Sequence, residues 1–152
     1  MRLYNRGRAT ERATLTVKGK AAIVDGVSRA DEEEEALAPA LAARLAADPA
    51  ALLALDSPLM ARVRSEHLAA PGAALRCLGS FVNERGDYAW RGLALELDRT
   101  TYPWGTLHEL ECETSEPERA RTMLEALLAE HGVAYRYSTK SKFANFVDRT
   151  LE

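Results

Sequence analysis

Glu109, Glu111 and Glu113 alternate with Leu110 and Cys112. Side chains two apart on an extended strand point to the same side, so this spacing sets three carboxylates on one face of a single strand. The spacing recurs at Glu96 and Asp98, which alternate with Leu95 and Leu97, and at Glu32 and Glu34 within the acidic run 31–35. A fourth stripe has the opposite sign: Lys18 and Lys20 share one face while Leu15 and Val17 share the other, and Arg2, Arg6 and Arg8 extend the basic character toward the N terminus. The solvent side of an ordinary antiparallel sheet also alternates in this way. Ordinary surfaces intersperse the two signs, however, whereas these four strands segregate them. Carboxylates this close repel one another unless cations intervene, and a divalent metal is the economical answer. Acidic and basic stripes together suit a ligand that is itself highly anionic and carries its own magnesium, such as a polyphosphate.

At 152 residues the chain is long enough for one domain with a real core. A net charge of −3, with no concentrated basic run, gives no general attraction to nucleic acid. No stretch of about 18 apolar residues is present, and the basic N terminus is not followed by an apolar signal core, so a cytoplasmic protein without a membrane partner is expected. Cys77 and Cys112 lie too far apart for a disulfide framework or a thiolate zinc site and read as buried thiols. His67, His108 and His131 have no ligand spacing and read as ordinary surface or boundary histidines. There is no Gly-rich phosphate loop, so any phosphate must be held by side-chain cations.

Residues 1–20 read as strands with a turn at Asn5-Arg6-Gly7-Arg8, and Asp25-Gly26 marks the next turn. The Ala-rich stretch 36–70 reads as two helices broken around Asp48-Pro49 and Asp56-Ser57-Pro58, and Pro71-Gly72 ends it. Strands are expected at 73–82, 87–98 and 106–114, the first two joined by a turn at Asn83-Glu84-Arg85-Gly86. A helix is expected over 117–131, capped by Ser115 and stopped at Gly132. A last strand over 133–137 leads to a short closing helix around Lys142.

Five segments in order carry a resemblance: Val17-Lys18-Gly19-Lys20, the run from Asp25 to Glu34, Leu95-Glu96-Leu97-Asp98, His108-Glu109-Leu110-Glu111-Cys112-Glu113, and Ser141-Lys142-Phe143. Together they resemble the CYTH, or triphosphate tunnel metalloenzyme, family, and most of all the plant-type inorganic triphosphatases. The resemblance implies an α+β fold: an antiparallel β-barrel tunnel, here incomplete or open, with helices outside. It departs from the family pattern at three places. No Glu-x-Glu-x-Lys strand precedes Arg2, Tyr4 stands where a second phosphate-binding arginine belongs, and Arg99 replaces an acid. Residues 1–152 are thus expected to form a single CYTH-like domain lacking its N-terminal strand region, with an open sheet edge through which a homo-oligomer could pair.

By position, the resemblance makes Arg2, Lys18, Lys20, Arg85 and Lys142 the triphosphate contacts. It puts Glu32, Glu34, Glu96, Asp98, Glu109, Glu111 and Glu113 on the metal side, for Mg2+ or Mn2+. The implied activity is metal-dependent hydrolysis of inorganic tripolyphosphate. Two alternatives stand beside it: a catalytically impaired or non-catalytic polyphosphate-binding remnant, and an enzyme of organic triphosphates, either thiamine triphosphatase or adenylyl cyclase. Tyr102, Trp104 and Trp90 are the aromatic residues that could serve an organic group, although packing is their more ordinary role.

Overall fold

The computed structural model describes residues 1–19, 22–70 and 72–152, so the expectations for Lys20 and Pro71 lie outside the described residues. The strands are β1 (Arg2–Tyr4), β2 (Arg12–Lys18), β3 (Ala22–Val24), β4 (Val27–Arg29), β5 (Glu32–Leu37), β6 (Val82–Trp90), β7 (Leu93–Tyr102) and β8 (Gly105–Cys112). The helices are α1 (Pro39–Ala47), α2 (Pro58–His67), α3 (Pro117–Glu130) and α4 (Lys142–Asp148), with a 3-10 turn at Pro49–Ala54. All strand pairs are antiparallel, in sheets of order β1-β2-β5, β3-β4 and β6-β7-β8, and none of these closes into a barrel among the described residues. The chain divides into two compact units, Met1–Ala21 with Ala30–Leu78, and Ala22–Arg29 with Gly79–Glu152.

In the first unit, β2 separates its side chains by sign and polarity. Leu15 and Val17 pack with Leu59, Met60 and Val63 of α2, while Thr14, Thr16 and Lys18 face the other way opposite Ala36, Glu34 and Glu32. The acidic run is divided by the same alternation. Glu33 pairs with Arg62 of α2, and Glu35 accepts hydrogen bonds from the Ser57 hydroxyl at 2.6 Å and the Leu59 N–H at 3.3 Å. Ser57 is also the N-cap of α2, its Oγ accepting the Met60 N–H at 3.1 Å, and Pro58 starts the first turn. Glu33 and Glu35 therefore anchor a helix, and only Glu32 and Glu34 remain on the charged face.

In the second unit, β6, β7 and β8 form a meander. Trp90-Arg91-Gly92-Leu93 turns tightly, with φ of 48° at Arg91 and 82° at Gly92, the left-handed pair that a two-residue hairpin turn requires. This overturns two expectations: residues 83–86 lie inside β6, and the turn falls at Arg91-Gly92, within the stretch read as one strand over 87–98. Residues 73–81 form no regular strand. Cys77 there is exposed, since without strand alternation nothing buries it, and Cys112 is half-buried. Leu93 and Leu95 pack with Ala120, Met123 and Leu124 of α3. Glu116 takes the α3 N-cap position that the sequence suggests for Ser115, without a side-chain cap bond. Gly132 follows the helix at φ 64°. Residues 133–137 find no partner strand. Their side chains bond elsewhere: Tyr137 donates its hydroxyl to Glu125, and Arg136 donates to the Leu151 carbonyl.

Candidate active site

The register of the meander decides which charges meet. Arg85, Asp98 and Glu109 lie abreast, and next to them Asp87, Glu96 and Glu111. Both rows share one face, since directly opposed residues of neighbouring strands point the same way. The opposite face carries Leu95 and Cys112, which pack on α3.

Arg85 is the hub of this face. Its Nε and one terminal nitrogen donate to the two Asp98 oxygens at 2.7 and 2.6 Å, a bidentate fork. The guanidinium also lies 2.5 Å from Glu96 Oε2 and 3.0 Å from Glu111 Oε2. Lys142 enters from α4, with its Nζ 2.9 Å from Asp98 Oδ2 and 3.2 Å from Glu109 Oε2, and donates a hydrogen bond to Glu111 Oε1.

α4 is fixed by polar groups turned inward. Ser141 caps it by accepting the Ala144 N–H at 3.2 Å, and the Tyr102 hydroxyl donates to the Lys142 carbonyl at 3.0 Å. The fully buried Asn145 donates to the Glu152 carbonyl at 2.8 Å and accepts from the Thr150 hydroxyl at 2.8 Å. Beneath the helix, Phe81, Tyr102, Trp104 and Phe146 form one aromatic cluster. Trp90 packs on the α3 side.

Electrostatics follow from these contacts. Asp98 is fully buried. Burial alone would raise its pKa, but hydrogen bonds from Arg85, Lys142 and Asn83 outweigh that and hold it well below the usual carboxylate range. Glu96 moves the other way, raised by burial and by its acidic neighbours Glu111, Glu113 and Asp98, which exceed the help from Arg85. For Lys142, burial would lower the pKa, but Glu111, Asp98 and Glu109 raise it and keep the ammonium charged. Glu113 lies just past the end of β8 and is exposed.

The first unit has a smaller face of the same kind. One Arg2 nitrogen lies 2.6 Å from both Glu32 and Glu34, Lys18 lies 3.3 Å from Glu32, and the Thr16 hydroxyl donates to Glu34 at 3.1 Å. Burial pushes the Glu32 carboxyl up, but Arg2 and Lys18 bring it below its ordinary value. The structure thus groups Arg2, Lys18, Glu32 and Glu34 in one set and Arg85, Glu96, Asp98, Glu109, Glu111 and Lys142 in another. Sequence reasoning missed Asn83 and Thr100. Asn83 hydrogen-bonds Asp98, and its Oδ1 accepts the buried Thr100 hydroxyl at 2.7 Å. The period-two series Asn83, Arg85, Asp87 is the signal that could have found Asn83, had residues 83–86 been read as strand.

The acidic side chains of this face are the kind of oxygen donor that hard divalent cations take. Glu109 Oε2 is buried and lies 3.2 Å from the Lys142 ammonium. With Arg85 and Lys142 standing among them, no three carboxylates among the described residues close into a ligating group.

The CYTH domain family matches residues 2–147. The chain belongs to the CYTH family. Among solved structures, it is similar to the Hippeastrum protein HpAC1, at 41% sequence identity and a TM-score of 0.82, covering 93% of this chain and 69% of that one. HpAC1 is described as an adenylyl cyclase candidate with a dominant triphosphatase activity. No curated protein matches the chain. CYTH proteins generally use divalent metal ions, in keeping with the all-oxygen donor set. No helix among the described residues is long and apolar enough to cross a membrane.

Proposed function

We propose that this chain is a cytoplasmic, metal-dependent hydrolase of inorganic triphosphate. The observation that carries the reading is the β6–β8 face, where Arg85 and Lys142 meet the carboxylates of Glu96, Asp98, Glu109 and Glu111 in a chain of the CYTH family. The dominant triphosphatase activity described for HpAC1 points the same way.

Arg85 would grip phosphate oxygens through its planar fork, and its side chain is 37% exposed, open to a ligand. Lys142 would act as a point charge on the same chain of phosphates. Glu96, Asp98, Glu109, Glu111 and Glu113 would hold Mg2+ or Mn2+. When bound, such a metal neutralises charge that develops on the leaving phosphate during in-line attack by water. The face of the first unit is assigned the same kind of work, Arg2, Lys18 and Lys20 toward phosphate and Glu32 and Glu34 toward metal. An inorganic substrate is favoured because Tyr102 and Trp104 stack on each other at 5.3 Å within the aromatic cluster and are engaged in packing.

The test is phosphate release from tripolyphosphate, ATP and thiamine triphosphate by the purified chain with Mg2+ or Mn2+. Tripolyphosphate is expected to be cleaved fastest, and a chelator to stop release. Faster cleavage of either organic triphosphate, or release that survives the chelator, would overturn the reading.

A further inference from the structure

Lys142 is gripped at both of its ends from a single strand. Asp98 of β7 lies 2.9 Å from its ammonium, and the Tyr102 hydroxyl, further along β7, donates to its backbone carbonyl at 3.0 Å. Asp98 and Tyr102 share a face through the period of two, and both are buried. The other contacts of the ammonium are with Glu109 and Glu111 of β8.

This grip matters because α4 cannot hold itself. Helices shorter than about 12–15 residues are marginal alone, and α4 has seven residues. Its Phe143 and Val147 are exposed, so Phe146 in the aromatic cluster and the inward polar contacts seat the helix. These contacts divide by turn. The buried Asn145 holds the far turn, donating to the Glu152 carbonyl at 2.8 Å and accepting the Thr150 hydroxyl at 2.8 Å and the Glu152 N–H at 3.0 Å. The Tyr102 hydroxyl ties the first turn, where Lys142 lies, to the sheet. That bond is made to the backbone of Lys142 and not to its ammonium, so its effect on the charged face runs through the place of the lysine.

We infer that Tyr102 is a positioning residue that acts through Lys142, its hydroxyl setting where the ammonium stands over β7 and β8. Where the triphosphatase reading holds, on which this consequence rests, the same bond sets how well Lys142 grips the phosphate chain. Tyr102 then has two separable parts, a ring that packs and a hydroxyl that positions.

The test compares wild type, Tyr102→Phe, Lys142→Met and the double variant at equal folded fraction. Tyr102→Phe keeps the ring in the aromatic cluster and removes only the donor. The Lys142 side chain is 17% exposed and shielded from reagents. Its acetylation by a succinimidyl ester without phosphate, followed by mass spectrometry, should run about 3-fold faster or more in Tyr102→Phe, the effect of one lost hydrogen bond. An unchanged rate would overturn the inference. For tripolyphosphate with Mg2+, kcat/KM should fall about 3-fold or more when Tyr102→Phe is made in wild type, and should not change when it is made in Lys142→Met. No fall in wild type, or an equal fall in both backgrounds as a merely structural role would give, would overturn the inference. A wild-type chain without activity would sink the triphosphatase reading, and the acetylation rates, which use no turnover, would still decide what the Tyr102 hydroxyl does.

Discussion

Asp98 is fully buried and still ionised, because Arg85, Lys142 and Asn83 all bond to it. Replacing it with Asn leaves two cations facing each other. A broken buried pair costs about 3–5 kcal/mol, and because Arg85 is partly solvated the loss for Asp98→Asn is put at about 2 kcal/mol, read as a lower urea midpoint. The pH dependence has a definite sign. The folded pKa lies below the ordinary value of 3.8, so the unfolded chain takes up the proton first. The stabilisation is fully present above that value and is lost as pH falls below it. Asp98→Asn should therefore flatten the acid limb of the stability profile, and an unchanged limb would contradict the assignment. The alternation of Glu96 with Asp98 was legible in the sequence as period two. The depth of Asp98 was not, because it depends on Lys142 arriving from a helix more than forty residues away.

Among the elements, the acidic run 31–35 shows how one period serves two purposes. Glu32 and Glu34 join Arg2 and Lys18, while Glu35 supports the N terminus of α2 with Ser57. Ser57→Ala removes both the cap and a partner of Glu35 and should cost about 1 kcal/mol in thermal or urea unfolding. The β3–β4 hairpin is fitted just as closely. Gly26 turns at φ 77°, and a Cβ there would run into the Tyr137 ring. Gly26→Ala should destabilise by about 1–3 kcal/mol, and Tyr137→Ala in the same chain should recover part of it in a double-mutant cycle. Fully additive losses would show that the contact plays no part. The Asp25-Gly26 turn and the helix over 117–131 were legible because Gly, Pro and apolar spacing are local signals. The Arg91-Gly92 turn was missed because Asn83-Glu84-Arg85-Gly86 has stronger turn composition, and pairing with β7 overrides it. The strand expected over 133–137 failed for a related reason, since extended residues become a strand only where a neighbour pairs with them.

At the scale of the whole molecule, each unit backs a charged sheet face with an apolar one, packed on α2 in the first and on α3 in the second. The grouping of opposite signs on one face was visible in the sequence as stripes, and the family was visible in their order. The cross-strand register that brings Glu96 against Glu111 and Asp98 against Glu109 was not, since register is set by turns far from the charges. The central claim is that this face performs metal-dependent cleavage of triphosphate, and Glu111 touches both of its cations. The direct measurement is the rate of phosphate release from tripolyphosphate with Mg2+ or Mn2+ by wild type and by Glu111→Gln of equal folded fraction. The account predicts a fall of about 100-fold or more in the variant. Release by Glu111→Gln at the wild-type rate would contradict it.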